Sequence, residues 1–371
     1  MRAWIERRLV VESPGPLRSE LRAMATFKRK GPVPKGEQRL VVRYIDGLEH
    51  RPMRDALWVP RGLVSRLPSI IRVVDRRLSM ASLDFRWRPP FRLKEVQQRA
   101  LAAAVRAEGG IVFAPPGSGK TAIGLAFIAQ VRQPAIWIVH TEQLLTQALR
   151  AASELYDLPS GAVGVIADGK ELESGPGSHL TVAMVQSLAK RPDLLVPLTR
   201  RVGVVVADEA HHCGAIRTWA TVVGEFPARY RLGLTATHDR EDGLAGLVES
   251  ELGPVVFRVR TADTVRAGLN VVPWIRVVKT AFLYDASGAS WADIQTARAD
   301  DASRNALIVR LAAGEYRAGK KPIVVTELVR HSDYLAEALR RPVRPEDLEE
   351  TGGGQDQSGF REQPLTLFDT N

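Results

Sequence analysis

Two apolar runs with polar endings constrain this chain more than anything else in it. Ile111–Ala114 (IVFA) breaks into Pro115-Pro116-Gly117-Ser118-Gly119-Lys120-Thr121, and an apolar, helix-compatible stretch follows. Val204–Ala207 (VVVA) ends in Asp208-Glu209. Short, uninterrupted apolar runs are what strands buried on both faces need. A Gly-rich turn from strand to helix aims backbone N–H groups and the helix N-terminus at an anion. Lys120 then reaches β- and γ-phosphates, and the Thr121 hydroxyl is a ligand for Mg2+. The usual spacing puts a glycine six residues before the lysine, and Ala114 stands there instead. Carboxylates at a strand's C-terminal end lie where open parallel sheets bind ligands. Asp208 suits a metal held through water, and Glu209 suits a base on the attacking water.

Around these motifs, strand-like and helix-like stretches alternate. Pro134–Val139, Leu180–Val185, Val202–Ala207 and Tyr230–Thr235 read as further strands, and Thr121–Val131 and Glu142–Leu155 as helices. Upstream, 92–108 is an amphipathic helix with Leu93, Val96, Leu101 and Val105 on one side, closed by Gly109-Gly110. The alternation predicts an α/β fold, a parallel sheet with helices on both faces. Further on, 252–260 and 269–283 read as connecting strands. Helices at 302–318 and 332–340 flank a strand at 321–326, the start of a second α/β lobe. From Pro342 the chain is rich in Glu, Asp, Gly and Gln, and 342–371 reads as a disordered tail.

Residues 1–90 read as a small separate α+β module, with strands at 39–46 and 56–60 and a short helix at 68–74. Trp87-Arg88-Pro89-Pro90 reads as a linker. The expected domains are therefore 1–90, 91–262, 263–341 and the tail. The net charge of +10 is concentrated in the first of them. Residues 1–90 carry 20 Lys+Arg against 9 Asp+Glu, and the remainder carries 32 against 33. A polyanionic partner, DNA or RNA, accounts for this, and so does a solvated Arg-rich surface. Lys28-Arg29-Lys30, just before a Gly/Pro loop, reads as a solvated loop or a phosphate contact.

Composition excludes several classes. One cysteine, Cys213, leaves no disulfide framework and no Cys-based zinc cluster, and a reducing, cytoplasmic setting fits. His211, His212 and Cys213 are adjacent in sequence and cannot all converge on one ion. No apolar run reaches membrane-span length, and the charged N-terminus with Pro14 makes a poor signal peptide.

Seven elements in order resemble the superfamily 2 helicases. PPGSGKT (115–121), ADEAHH (207–212) and GLTAT (233–237) resemble motifs I, II and III. LKEVQQRAL (93–101) resembles the upstream glutamine element, VHTEQLLTQ (139–147) motif Ia and TVAMVQSL (181–188) motif Ib. PARYRLGLTATHDREDG (227–243), followed by LGPVV (252–256), is most similar to DEAD/DEAH-box enzymes of the phage and restriction-associated type, which carry a small N-terminal module. WVPRGL (58–63) fits such a module. The resemblance spans about residues 35–341. It implies a RecA-like P-loop NTPase lobe with a second lobe beginning behind it, ATP and Mg2+ as ligands, and hydrolysis coupled to movement on nucleic acid.

It also implies roles residue by residue. Gln97 would read adenine. Pro116, Gly117, Ser118, Gly119, Lys120 and Thr121 would hold the phosphates, with Thr121 and Asp208 on Mg2+. Glu209 would be the base, and His211 would bond toward motif III. Thr235 and Thr237 would couple the nucleotide site to the nucleic-acid groove. Thr141, Gln147, Gln186 and Ser187 would lie along the nucleic-acid backbone, where small polar groups contact phosphates without reading sequence.

Two substitutions depart from the pattern, His140 and His238 each standing where a proline is usual. Both are loop positions, where backbone stiffness changes more than chemistry. The larger departure is in the second lobe. Family members carry γ-phosphate arginines there, in a Q/H-x-x-G-R-x-x-R element, and none follows Thr326. An interrupted reading frame, a partner chain that completes the lobe, and a protein that binds without translocating all remain open, as does a P-loop ATPase that is no helicase. Near the C-terminus, Leu365, Leu367 and Phe368 (LTLF) resemble peptides that dock on the bacterial sliding clamp, with Pro364 displacing the expected glutamine. A chance apolar stretch in a disordered tail is the alternative.

Overall fold

The computed structural model describes residues 2–28, 40–42, 45–46, 55–88, 91–168, 170–172, 178–214, 218–237, 245–272 and 275–340. They divide into two compact units, Met1–Val272 and Pro273–Asn371. The break lies ten residues past the expected boundary at 262/263, because 263–272 packs with the first unit. The N-terminal module belongs to that unit as well. The 342–371 tail, Lys28's neighbours Arg29 and Lys30, His238 and the LTLF stretch lie outside the described residues.

The centre of the first unit is an eight-stranded sheet. Its strands are β1 (Gly109–Phe113), β2 (Ala135–Val139), β3 (Val163–Ala167), β4 (Lys170–Leu172), β5 (Leu180–Met184), β6 (Val204–Asp208), β7 (Tyr230–Thr235) and β8 (Val255–Arg258). They lie in the order β4-β3-β5-β2-β6-β7-β1-β8, all parallel except the edge strand β4. The helices are α1 (Glu95–Arg106), α2 (Lys120–Val131), α3 (Glu142–Leu155), α4 (Val185–Lys190), α5 (Pro192–Thr199), α6 (Trp219–Glu225), α7 (Ala245–Leu252) and α8 (Thr261–Arg266). Side chains alternate along each strand, so the sheet has two cores. Trp137, Val139, Val204, Val206 and Leu234 face one together with Ile123 and Phe127 of α2. Ile136, Ile138, Val205 and Ala207 face the other with Leu188, Trp219 and Val222. Each fully buried side chain of this size contributes about 1.5–3 kcal/mol, which is why the uninterrupted apolar runs sit at the centre of the sheet.

The N-terminal module is a five-stranded sheet in the order 45–46, 56–59, 9–12, 2–5, 72–75, its last pair parallel and the others antiparallel. Leu21 of the helix Arg18–Met24 joins Leu9, Val11, Leu57 and Leu63 in its core. Two expectations are overturned here. No helix covers 68–74, since Arg72–Asp75 is a strand paired with Arg2–Ile5, where β-branched Val73 and Val74 fit a sheet edge. Arg86–Trp87 is no free linker either. It pairs with Tyr156–Asp157, and the Trp87 ring packs 5.4 Å from Tyr156 and 5.5 Å from Phe91.

The module docks at the N-terminal ends of β7 and β8. Arg61 is 6% exposed, and its guanidinium donates to the carbonyls of Ala228 (2.5 Å) and Arg229 (3.2 Å). Gly62 packs so close that a Cβ would lie 2.3 Å from the Glu249 carbonyl oxygen, so only glycine fits there. Arg7 pairs with Glu225 and Arg66 with Glu249. Arg77 bridges Asp75 and Glu108, which also holds Arg229. Several arginines of the basic excess therefore hold the module to the lobe.

The second unit contains α9 (Trp291–Asp300), α10 (Ala302–Arg317) and α11 (Val329–Arg340), and no strand among its described residues. The expected strand at 321–326 is absent, as are strands over the described part of 269–283. The 321–326 segment has no strand partner among the described residues, and Ile323 and Val325 are each 88% exposed. No helix of the described residues is long and apolar enough to cross a membrane.

Candidate nucleotide site

The two motifs meet because β1 and β6 both flank β7, with Ile111 opposite Gly233 and Asp208 opposite Leu234. The three strands end together, so the loop after β1, the carboxylates after β6 and Thr235 share one edge. Gly119 caps α2 with φ +78, and a Cβ there would lie 2.4 Å from Gln97 Nε2. The turn thus needs glycine for its backbone and for the close approach. Lys120 Nζ donates to the Ala114 carbonyl (3.3 Å) and lies 4.0 Å from Glu209 Oε1. Backbone, ammonium and helix N-terminus of α2 therefore face the side on which the carboxylates stand.

The carboxylates have unlike surroundings. Asp208 is 5% exposed and accepts from the Glu209 N–H (3.0 Å). Burial, with the Glu209 charge beside it, raises its pKa from 3.8 to about 6. Glu209, at φ +49, lies 3.4 Å from His211 Nδ1. The His211 hydrogen bond, helped by the Lys120 charge, holds its pKa below the usual carboxylate range against the opposing effect of burial. One neighbourhood keeps a base ionised while the other carries a carboxylate short of positive charge, a separation typical of acid–base pairs. A divalent cation fits that shortage. The buried Ser118 hydroxyl, which has no hydrogen-bond partner, is a further polar group turned into the loop without a use inside the protein. Asp208 and Thr121 are the residues that would hold the ion. Among the described residues no cluster of three or more His, Cys, Asp or Glu could hold a metal by itself.

Motif III closes the site. The Thr235 hydroxyl donates to the Thr237 carbonyl (2.8 Å) and accepts from the Thr237 N–H (3.2 Å). His211 Nδ1 lies 3.0 Å from the same oxygen. A hydroxyl has one hydrogen, so with that hydrogen on the Thr237 carbonyl the His211 Nδ1–H is the donor of this contact. His211 thereby ties Glu209 to Thr235.

Other sequence-derived candidates land differently. Gln97 is 4% exposed, with both ends of its amide in use. Oε1 accepts from the Lys94 N–H (2.9 Å), and Nε2 donates to the Ser118 carbonyl (2.9 Å). Through these bonds it anchors the loop between β1 and α2. Ser187 is also 4% exposed, and its hydroxyl donates to Asp168 (2.9 Å). Gln186 is half-buried and donates to the His140 carbonyl (2.9 Å). Of the four proposed backbone contacts, Thr141 and Gln147 are the exposed ones, and the Thr141 hydroxyl caps α3 by accepting from the Leu144 N–H (3.3 Å). Asn270 was not foreseen. Its Nδ2 donates to the Pro116 carbonyl (3.0 Å) and to Thr264 (3.1 Å), and its Oδ1 lies against Gly117. No local signal marks an asparagine that reaches the loop from 154 residues away.

Residues 90–240 match a family model described as "Type III restriction enzyme, res subunit". The chain is 28% identical over 261 residues to the DNA 3'-5' helicase XPB of Kineococcus radiotolerans, covering 68% of this chain and 45% of that protein. It is 29% identical over 166 residues to the DNA 3'-5' translocase XPB2 of Sulfurisphaera tokodaii, covering 45% and 35% respectively. Over its motif-bearing residues the chain is similar to the superfamily 2 helicases. It spans less than half the length of those two relatives. In fold it is similar to the UvsW helicase of bacteriophage T4, with a TM-score of 0.52 at 13% identity over 69% of this chain and all of that one. A RecA-like lobe is thus the architecture that carries the superfamily 2 motifs here.

Proposed function

We propose that this chain binds MgATP at the Lys120–Glu209 edge and couples its hydrolysis to movement on DNA, as an ATP-dependent helicase or translocase. The observation that carries the reading is the convergence of Lys120, Asp208, Glu209 and Thr235 at adjacent strand ends, with Lys120 and Glu209 4.0 Å apart. The loop N–H groups and Lys120 would bind and orient the β- and γ-phosphates. Thr121 and Asp208 would hold Mg2+, which would supply charge neutralisation at the transferring phosphoryl. Glu209, kept ionised by His211 and Lys120, would accept the proton of the attacking water. Thr235 and Thr237, tied to Glu209 through His211, would report the state of the nucleotide to the nucleic-acid side. DNA as partner is supported by the names of the XPB relatives and by the basic excess of residues 1–90, although part of that excess holds the module in place.

Lys120→Ala should lower DNA-stimulated phosphate release at least about 100-fold, with the circular dichroism spectrum and melting temperature unchanged. Undiminished release in that variant would sink the assignment. A second reading is favoured by the unpaired, exposed 321–326 segment. On it, the second lobe is completed by strands from outside the described residues or from another chain, and this chain alone binds ATP and DNA without turnover. DNA-stimulated turnover by the purified chain excludes that reading.

A further inference from the structure

Beside the hydrolytic edge stand two histidines with no part in the chemistry above. His140 follows β2, and His212 lies one residue beyond His211 in the turn after β6. The His140 and His212 rings are 4.1 Å apart centroid to centroid, and His212 and His211 are again 4.1 Å apart. Trp219 of α6 backs the His140 ring at 6.3 Å. Ring contacts this close leave no room for one imidazole to shift without its neighbour. At one end of the stack, His211 touches Glu209 and Thr235. At the other, the His140 carbonyl accepts from Gln186, and His140 is followed by exposed Thr141. A continuous line of contacts therefore runs from the Thr141–Gln186 edge to the hydrolytic carboxylate.

The outer end of that line is incomplete. His140 Nδ1 and Gln186 Oε1 are both buried without a hydrogen-bond partner. Buried polar atoms are ordinarily paired, and His140 Nδ1 is one such group left unused beside the exposed Thr141. Burial also holds the His140 pKa below its ordinary value, so its ring stacks as a neutral imidazole.

We propose that His140 is a positioning residue. Through His212 and His211, it couples occupancy of the Thr141–Gln186 edge by a nucleic-acid backbone to the placement of Glu209 and Thr235. This rests on the MgATP and nucleic-acid reading above. It adds a route between the two ligands that runs through a histidine where the family usually has proline.

The test is a thermodynamic one and needs no turnover. The Kd of a fluorescent ATP analogue with Mg2+ is measured with and without a saturating tailed DNA duplex, and the ratio of the two is the coupling factor. The wild type should show a ratio of about 5 or more. His140→Ala should bring it to within about twofold of one, leaving the Kd without DNA within about twofold of wild type. His140→Phe, which keeps a ring in the stack, should restore most of the coupling. His212→Ala breaks the stack at its middle ring and should repeat the loss, which covers the case of a poorly folded His140→Ala. A wild-type ratio in either alanine variant overturns the proposal. So does a ratio of one in the wild type, where measurable nucleotide binding leaves the MgATP site standing. Absence of nucleotide binding by the wild type sinks that site and this proposal together.

Discussion

Pro134–Val139 and Lys321–Thr326 are near copies in pattern, each a proline followed by apolar residues, PAIWIV and KPIVVT. In the first, every residue from Ala135 to Val139 is buried and Ala135–Ile138 are paired on both sides, with Thr181 opposite Ile136 and Val206 opposite Trp137. In the second, no pairing forms among the described residues, and Ile323 and Val325 stand in solvent. The residues favour a strand equally in both. The difference is whether neighbours exist on either side, so strand propensity here measures fit to a half-made surface and little else.

Substitutions can break or sharpen this contrast. Trp137→Ala removes the largest side chain buried in the central strand, and should destabilise the first unit by about 3–5 kcal/mol in urea unfolding. A loss under about 1 kcal/mol would mean that the sheet is not the stabilising core it looks to be. Asp208→Asn acts in the opposite direction, because the burial that stabilises β6 penalises the carboxylate at its end. A carboxyl whose folded pKa is raised keeps its stability below the unfolded value and loses it as pH climbs through the folded one. The wild type should therefore weaken between about pH 4 and pH 6. Asp208→Asn should lack that slope and gain about 1–3 kcal/mol at neutral pH in the absence of nucleotide, while losing hydrolysis. Parallel pH–stability curves for the two proteins would refute the assignment. The smallest effect belongs to the exposed copy, where Ile323→Ser should change stability by less than about 0.5 kcal/mol. A loss of 2 kcal/mol there would show that the segment has found the neighbours that 135–139 has.

The same contrast explains what could be read from the sequence. The site was legible where its chemistry is local. Gly119-Lys120-Thr121 and Asp208-Glu209 each carry strand, turn and polar group within a few residues, so pattern and placement coincide. Legibility failed where a role depends on a distant partner. Nothing near Gln97 shows that its amide bonds the Ser118 carbonyl 21 residues away. Nothing near Ser187 shows that its hydroxyl donates to Asp168. Residues 68–74 looked helical because nothing nearby shows that Arg2–Ile5 offers a sheet edge. Val163–Ala167 was passed over because a glycine interrupts its apolar run, although the strand pairs in parallel with Leu180–Ala183.

Arg61 gives the N-terminal module a mechanical meaning. It grips the carbonyls of Ala228 and Arg229, the residues that lead directly into β7, and β7 ends at Thr235. A six-residue strand is a stiff rod about 20 Å long, held here between two other strands from Arg231 to Leu234. The module is therefore fixed to one end of a strand whose other end is Thr235, so a displacement of the module would be felt at the edge where Lys120 and Glu209 stand.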